Sequence, residues 1–240
     1  MKLRRLLLCV VVLTLAPCAW AQDTYKDTLL EKYPFYKIAT SRFAPVYPAL
    51  AQQLVQDFGI TEGVCVDVGG GGGSLAMALA RITDLHIYML DIDPWAVRLC
   101  NLLVDEAELT GRIIAVEGDA QEMHFRDDFA DLVVSRGSIF FWPDQLAGVK
   151  ECYRIVKPGG VAYVGGGFSR ILEPEVRNPL AEWAQKAHQR QDSGWRPIED
   201  DLIERARGAG IEDIRVEREP IAGWWLVIHK PDGAGAAPAD

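Results

Sequence analysis

The sequence has few cysteines, and their spacing argues against a metal centre. Five occur in 240 residues, none in a CxxC pair and none with a histidine at the spacing of zinc ligands. Cys65 lies in an apolar run, and Cys100 and Cys152 lie in helical patterns. We therefore expect three small buried side chains and no metal site. One disulfide with a leftover thiol is the alternative, because the sequence does not select a pair.

Basic side chains are also scarce. The chain has 25 Lys and Arg against 34 Asp and Glu, a formal net charge of −9, and no basic run. Proteins that bind a phosphate backbone or an anionic membrane surface need such a run. Nucleic acid and stable membrane insertion are therefore not expected, and a small molecule is the predicted partner.

The N-terminal apolar run is too short to span a bilayer. It extends from Leu6 to Ala16, follows a basic N-terminus and precedes Ala19-Trp20-Ala21, whereas a spanning helix needs roughly 20 residues. This pattern is typical of a secretory signal cleaved after Ala21. Removing residues 1–21 takes away three basic side chains, so the charge becomes −12. We predict an exported protein, periplasmic or secreted; tethering to the membrane by an uncleaved signal is the alternative.

Apolar runs alternate with helical patterns between residues 60 and 165, and no internal repeat interrupts them. This alternation predicts a parallel sheet with helices on both faces. Asp93 is predicted to cap a helix that begins at Pro94, and the KPGG of residues 157–160 is predicted to be a turn. The predicted strands are 64–68, 86–90, 113–117, 132–135 and 161–165, followed by a closing hairpin of 214–219 and 224–229.

Two segments flank this predicted core of residues 61–230. Residues 22–60 contain a helix starting near Pro45, and the inserted segment 168–198 contains a helix capped by Asn178. Each segment is either a lid over the carboxyl edge of the sheet or a packing layer. Residues 231–240 lack apolar periodicity and are predicted to be a disordered tail.

Five consecutive glycines follow the first predicted strand, in VDVGGGGGSLAMALA (residues 66–80). Such a turn brings backbone close to a ligand at a helix start. The third glycine of a dinucleotide-binding GxGxxG is missing, because Ser74 follows Gly69 and Gly71, and no GKS is present to make a P-loop. Asp67 would repel a pyrophosphate and attract an ammonium group. These features disfavour a nicotinamide enzyme and suit the amino-acid end of S-adenosylmethionine.

With Asp67 and the glycines, four further pieces in order resemble the class I S-adenosylmethionine-dependent methyltransferases. They are YMLDID, VEGDAQEMHF, ADLVVSRGSIFFW and ECYRIVKPGGVAYVGGG, and the resemblance covers about residues 40–167. It is strongest to the small-molecule branch similar to the quinone C-methyltransferases, the type 11 methyltransferases. It implies a Rossmann-like, doubly wound α/β fold: a three-layer α/β/α sandwich whose seven-stranded sheet has its last strand antiparallel.

The resemblance also implies S-adenosylmethionine as cofactor and a set of binding residues. Asp91 would hold both ribose hydroxyls, Ile92 would pack on adenine, and Asp119 with Ala120 would contact the adenine amino group. The implied cofactor-binding residues are Asp67, Gly69, Gly71, Gly73, Asp91, Ile92, Asp119, Ala120 and Ser135. Glycine replaces the bulkier residues usual at the intervening loop positions, which predicts a loop that is costly to order.

The predicted activity is methyl transfer to a small-molecule acceptor by in-line displacement, which needs alignment and water exclusion more than a dedicated base. The motif that the resemblance associates with amino-group methylation of DNA bases or glutamine, D/N-P-P-Y/F, is absent. Arg136 as an anchor for an anionic substrate and His124 as a base are the weak catalytic candidates. Five aromatic residues form either a substrate wall or core: Phe43, Tyr47, Phe140, Phe141 and Trp142.

Two alternatives remain open. One is a thiol or metalloid methyltransferase that engages Cys100 or Cys152. The other is an exported, non-catalytic binding protein with the same fold. The acceptor, its nucleophilic atom and the oligomeric state are not predicted.

Overall fold

The computed structural model describes residues 19–188, 194–219 and 223–233. The apolar run of the predicted signal and most of the predicted tail lie outside these residues. Among the described helices, none is long and apolar enough to cross a bilayer.

One seven-stranded sheet organises the chain, in the order β3-β2-β1-β4-β5-β7-β6. Its strands are β1 Val64–Val68, β2 His86–Asp91, β3 Ile113–Glu117, β4 Ala130–Arg136, β5 Val156–Gly167, β6 Ile214–Glu219 and β7 Gly223–His229. The first five are parallel, and β7 runs antiparallel to both β5 and β6. The predicted sheet, with its antiparallel last strand, is confirmed.

Helices cover both faces of the sheet. They are α1 Ala19–Lys32, α2 Phe35–Thr40, α3 Val46–Phe58, α4 Ser74–Ala80, α5 Pro94–Glu106, α6 Gln145–Ile155, α7 Pro174–His188 and α8 Leu202–Gly208, with a short 3-10 helix at Ile139–Phe141. Residues of α1, α3, α4 and α5 bury apolar side chains against one face, and residues of α6 and α8 against the other. The result is the predicted three-layer α/β/α sandwich.

Two predicted helix starts are confirmed, that of α5 at Pro94 and that of α3 near Pro45. The Asp93 carboxylate accepts a hydrogen bond from the Trp95 N–H, and Pro94 is the first residue of α5, as predicted. The helix near Pro45 ends at Gly59, whose φ of +67° closes the last turn in the left-handed region.

Two local predictions were wrong. Asn178 does not cap a helix: α7 begins at Pro174, whose missing N–H costs nothing in a first turn, so Asn178 and Pro179 lie inside the helix. The KPGG of residues 157–160 is part of β5 rather than a turn. A register shift opposite Ala130 and Leu132 accommodates Gly159, whose φ is +78°.

The helix α1 packs on the domain through its second half. Leu29 is completely buried in the core, and Lys26 pairs with Glu106 of α5 at 2.6 Å. The predicted cleavage point after Ala21 falls inside α1, upstream of both contacts.

Candidate active site

A cavity of about 1980 Å³ opens at the carboxyl edge of the parallel strands. The strand order reverses between β1 and β4, and ligands of open α/β sheets bind at such a switch point. Backbone of the glycine loop and side chains from the strand ends line one part of the cavity. Aromatic side chains from α2, the 3-10 helix and the segment around α7 line the rest.

The glycine loop is a closed, hydrogen-bonded turn. The Gly69 N–H donates to the Leu90 carbonyl at 2.7 Å, and the Gly73 N–H donates to the Gly70 carbonyl at 3.0 Å. The Gly71 N–H donates to Asp91 Oδ2 at 2.8 Å. Gly69, Gly71 and Gly73 all have positive φ, which only glycine adopts without strain. The loop therefore needs glycine at these three positions for its backbone alone.

At the two intervening positions, Gly70 and Gly72, a larger residue would meet neighbouring side chains. A Cβ at Gly70 would lie 2.7 Å from Asp67 Oδ2, and one at Gly72 would lie 2.5 Å from the Tyr36 ring. At Gly71, where the φ already demands glycine, a Cβ would also lie 2.5 Å from the Tyr33 hydroxyl. The prediction of a loop that is costly to order did not anticipate these close contacts. Bulkier side chains would not fit there because Tyr33, between α1 and α2, and Tyr36 of α2 pack directly on the loop.

Asp67 lies in β1, 1% exposed, and lines the cavity beneath the loop. Its Oδ2 has no hydrogen-bond partner among the described residues. Burial raises the pKa of this carboxyl to about 7; the Ala76 N–H opposes the shift and the negative charge of Asp91 adds to it. A buried, unpartnered carboxylate oxygen beside a ligand cavity suits a cationic group of the ligand.

Asp91 ends β2 beside the loop. Its carboxylate accepts hydrogen bonds from the Gly71 and Asp93 N–H groups, which leave further acceptor positions for ligand hydroxyls. Burial is the main cause that raises its pKa. Ile92 is 66% exposed at the cavity surface, a position suited to packing on a planar ligand. Asp119 and Ala120 line the cavity next to them, as expected for residues that follow β3.

The structure places two predicted binding residues behind the cavity surface. The Ser135 side chain is buried, and its hydroxyl lies 2.6 Å from that of Ser138. Ser138 lines the cavity and donates to the Val68 carbonyl at 3.0 Å. Gly73 is the N-cap of α4 and lies against the Cys100 thiol, so its part in the site is to shape the turn. Ser138, three residues beyond Ser135, is the serine that a ligand would meet.

The two catalytic candidates differ in position. Arg136 ends β4 and lines the cavity. His124 is exposed and is not among the residues that line the cavity. Its neighbour Met123 is buried in the core instead, and the Met123 N–H donates a hydrogen bond to the Glu151 carboxylate. The structure therefore does not support His124 as a base.

Aromatic side chains dominate the rest of the cavity wall. All five predicted wall residues line it. Sequence reasoning missed Tyr33 and Tyr36, which lie over the glycine loop, and the tryptophans at 183, 195 and 224. Because Phe43 and Tyr47 come from the first flanking segment and Trp183 and Trp195 from the second, both segments cover the cavity. The paired tyrosines of YPFY were the available signal for the first segment.

The three described cysteines are unpaired and buried. Burial raises the pKa of the Cys100 thiol to about 12 and raises that of Cys65 and Cys152 as well. None of the three lines the cavity. A reactive thiolate needs a lowered pKa and access, so the structure disfavours the alternative that engages Cys100 or Cys152.

The fold and this edge define a doubly wound α/β protein that binds a ligand through a glycine loop and acidic strand ends. A family model described as a methyltransferase domain matches residues 66–164. The chain is similar to a proposed S-adenosyl-L-methionine-dependent methyltransferase from Methanococcus maripaludis, whose crystal structure is known. The two sequences are 32% identical, the two structures superpose with a TM-score of 0.72, and the match covers 88% of this chain and 95% of that one. The chain belongs to the S-adenosylmethionine-dependent methyltransferases.

Two curated relatives are similar over the same region. Rice (Oryza sativa subsp. japonica) 2-methyl-6-phytyl-1,4-hydroquinone methyltransferase 2, chloroplastic, is 31% identical over 156 residues, which are 64% of this chain and 40% of the rice protein. Sterol 24-C-methyltransferase of Aspergillus fumigatus is 30% identical over 145 residues, 59% of this chain and 38% of that protein. The chain thus spans about two fifths of the length of these relatives.

Proposed function

We propose that the protein transfers a methyl group from S-adenosylmethionine to a small-molecule acceptor by in-line displacement. One observation carries the proposal: a single cavity joins the glycine loop and its acidic residues to an aromatic compartment. The first part suits a cationic nucleoside cofactor, and the second suits an apolar acceptor next to it.

The residues at the loop fit this cofactor. The unpartnered Asp67 oxygen would take its ammonium group, and the Asp91 carboxylate would take its ribose hydroxyls. Ile92, Asp119 and Ala120 would surround the adenine. When bound, the cofactor supplies a methyl group on a positively charged sulfur, which a nucleophile attacks in line. The tyrosines above the loop and the aromatic wall would exclude water from the reacting groups once cofactor and acceptor are bound.

The aromatic compartment supports an acceptor with an apolar or aromatic body. The hydroquinone and sterol named for the two relatives are of this kind. No general base is assigned; His86, His124 and His229 do not line the cavity.

Turnover tests the proposal. The full chain is incubated with S-adenosylmethionine and alkylated hydroquinones, phenols, sterols and thiols, and S-adenosylhomocysteine release and product mass are measured. We expect methylation within the hydroquinone and phenol group, and loss of it in Asp91→Ala. Cofactor binding without turnover on any acceptor would contradict an enzyme and favour the non-catalytic binding protein. Turnover on thiols alone would favour the thiol methyltransferase.

Cofactor affinity should depend on pH through Asp67. Its pKa of about 7 in the free protein means that the carboxyl is protonated below this pH, whereas a cationic ligand binds the ionised form. Affinity for S-adenosylhomocysteine, which keeps the ammonium group, should therefore rise between pH 5.5 and 7.5, by up to about tenfold per unit. Calorimetric titration at several pH values measures this slope.

The Asp67→Asn variant should bind S-adenosylhomocysteine more weakly than the wild type, and its affinity should depend less steeply on pH. Some slope should persist from Asp91, whose pKa burial also raises. Glu117→Gln, which removes an exposed carboxylate at the end of β3, is the matched control and should keep the wild-type slope. An unchanged slope in Asp67→Asn would exclude Asp67 as the ammonium site.

We also propose that the protein is exported and processed after Ala21. Cleavage there leaves the Lys26–Glu106 ion pair and buried Leu29 in place. N-terminal sequencing of the protein recovered from the expressing cells tests this. A mature N-terminus at Gln22 is expected, and recovery of only the uncleaved chain would contradict processing.

A further inference from the structure

Four charged side chains lie at or next to the carboxyl ends of neighbouring strands. Asp119 follows β3, Asp91 ends β2 and Asp67 lies in β1. Arg136 ends β4, the next strand in the sheet. All four side chains line the same cavity. The sign of the charge therefore changes between β1 and β4, where the strand order reverses.

Arg136 is held by uncharged groups. Its Nε–H donates to the Gly167 carbonyl at 3.1 Å and its Nη1 to the Tyr47 hydroxyl at 3.4 Å. The guanidinium carbon lies 5.0, 5.1 and 5.8 Å from the ring centroids of Phe43, Tyr47 and Phe168. These contacts fix the side chain in position but supply no negative charge.

Two other partly buried basic side chains, Arg154 and Lys230, are paired with carboxylates. Arg154 pairs with Glu151 at 2.7 Å, and Lys230 with Asp128 at 2.6 Å. Within the described residues, Arg136 takes part in no such ion pair. Of its five N–H groups, two have partners there. The remaining donors and the charge are available to a ligand.

We infer that Arg136 binds an anionic oxygen group of the acceptor, a carboxylate or a phenolate on an aromatic or apolar body. This inference rests on the proposed function and names the acceptor class. A guanidinium surrounded by rings is poorly solvated, so an anion beside it forms a strong charge-assisted pair. The surrounding rings would hold the body of the acceptor.

Binding of matched anionic and neutral probes tests the inference. The full chain, with and without S-adenosylhomocysteine, is titrated with 2-naphthoate and 2-naphthamide for the carboxylate arm. For the phenolate arm it is titrated with 4-nitrophenolate and 4-nitroanisole. We expect the wild type to bind at least one anion about tenfold more tightly than its neutral counterpart. The arm that shows the preference identifies the group.

Arg136→Met keeps an apolar chain of similar length and removes the charge. We expect it to lose the preference while it binds the neutral probes and S-adenosylhomocysteine as the wild type does. Arg136→Gln takes its place if the melting curve shows that the methionine variant does not fold. Arg98→Met is the matched control, since Arg98 also stacks on a ring, 4.8 Å from Trp95, but does not line the cavity.

Three results would overturn the inference: no preference in the wild type in either arm, a preference retained in Arg136→Met, or an equal loss in Arg98→Met. Failure of the wild type to bind S-adenosylhomocysteine is a separate outcome, which counts against the proposed function. The probes alone still report on Arg136 in that case.

Discussion

Asp91→Ala is expected to lower the affinity for S-adenosylhomocysteine by at least about a hundredfold. Hydrogen bonds to a charged group contribute about 1.5–3 kcal/mol each, and the carboxylate is proposed to accept two from the ribose. It also holds the glycine loop through the Gly71 N–H at 2.8 Å, so its removal loosens the turn. Isothermal titration calorimetry on the full chain measures the change.

Glu117→Ala is the matched control for this variant. Glu117 pairs with Asp91 in the sheet register and is exposed at the end of β3, so the same charge is lost next to the site. We expect it to bind S-adenosylhomocysteine as the wild type does. Equal weakening in both variants would mean that net charge, and not ribose recognition, governs affinity.

Gly69→Ala is expected to destabilise the fold by about 2–5 kcal/mol. Gly69 has a φ of +67°, and a Cβ there would overlap the Ser138 side chain. Ser138 cannot yield easily, because its hydroxyl is bonded to Ser135 and to the Val68 carbonyl. The left-handed backbone costs an alanine about 1–2 kcal/mol, and overpacking adds about 1–3 kcal/mol. Urea denaturation measures the total.

Gly59→Ala separates these two costs. Gly59 has the same φ of +67°, and a Cβ there meets nothing within 4 Å. The Gly59→Ala variant should therefore lose only the backbone contribution to the free energy of unfolding, about 1–2 kcal/mol. Gly69→Ala combined with Ser138→Gly should recover part of the difference. Equal losses in Gly59→Ala and Gly69→Ala would show that the loop does not press against the end of β4.

The strands, the helix caps and the acidic strand ends could be predicted from the sequence because local patterns encode them. Parallel strands buried on both faces appear as short apolar runs, and Asp91 and Asp119 each follow such a run. Once the strands are placed, their carboxyl ends meet at one edge. The predicted cofactor residues therefore lie close together, apart from Ser135 and Gly73, which lie just behind the cavity surface.

The covering of the loop could not be predicted in this way. Tyr33 and Tyr36 contact Gly71 and Gly72 through tertiary packing, and the intervening sequence has no periodicity that specifies it. The five glycines alone suggested a loop that is costly to order, whereas the contacts show that Gly71 and Gly72 make room for Tyr33 and Tyr36. His124 shows the reverse situation: its place in a motif suggested chemistry, but its side chain is exposed outside the cavity while the neighbouring Met123 is buried.

The surroundings of Arg136 depend on three separate segments. Its ring contacts come from the first flanking segment and from the residue after β5, so the sequence could place the arginine at a strand end but not its partners. The absence of a carboxylate partner among the described residues becomes visible only in the assembled structure.

Competitive titration of the full chain with S-adenosylmethionine, S-adenosylhomocysteine and NAD tests the central claim most directly. We expect both sulfur nucleosides to bind one site and to compete, and NAD not to displace them, because Asp67 disfavours a pyrophosphate at the glycine loop. Displacement by NAD, or no binding of either sulfur nucleoside at millimolar concentration, would contradict the assignment of this edge as a methyltransferase cofactor site.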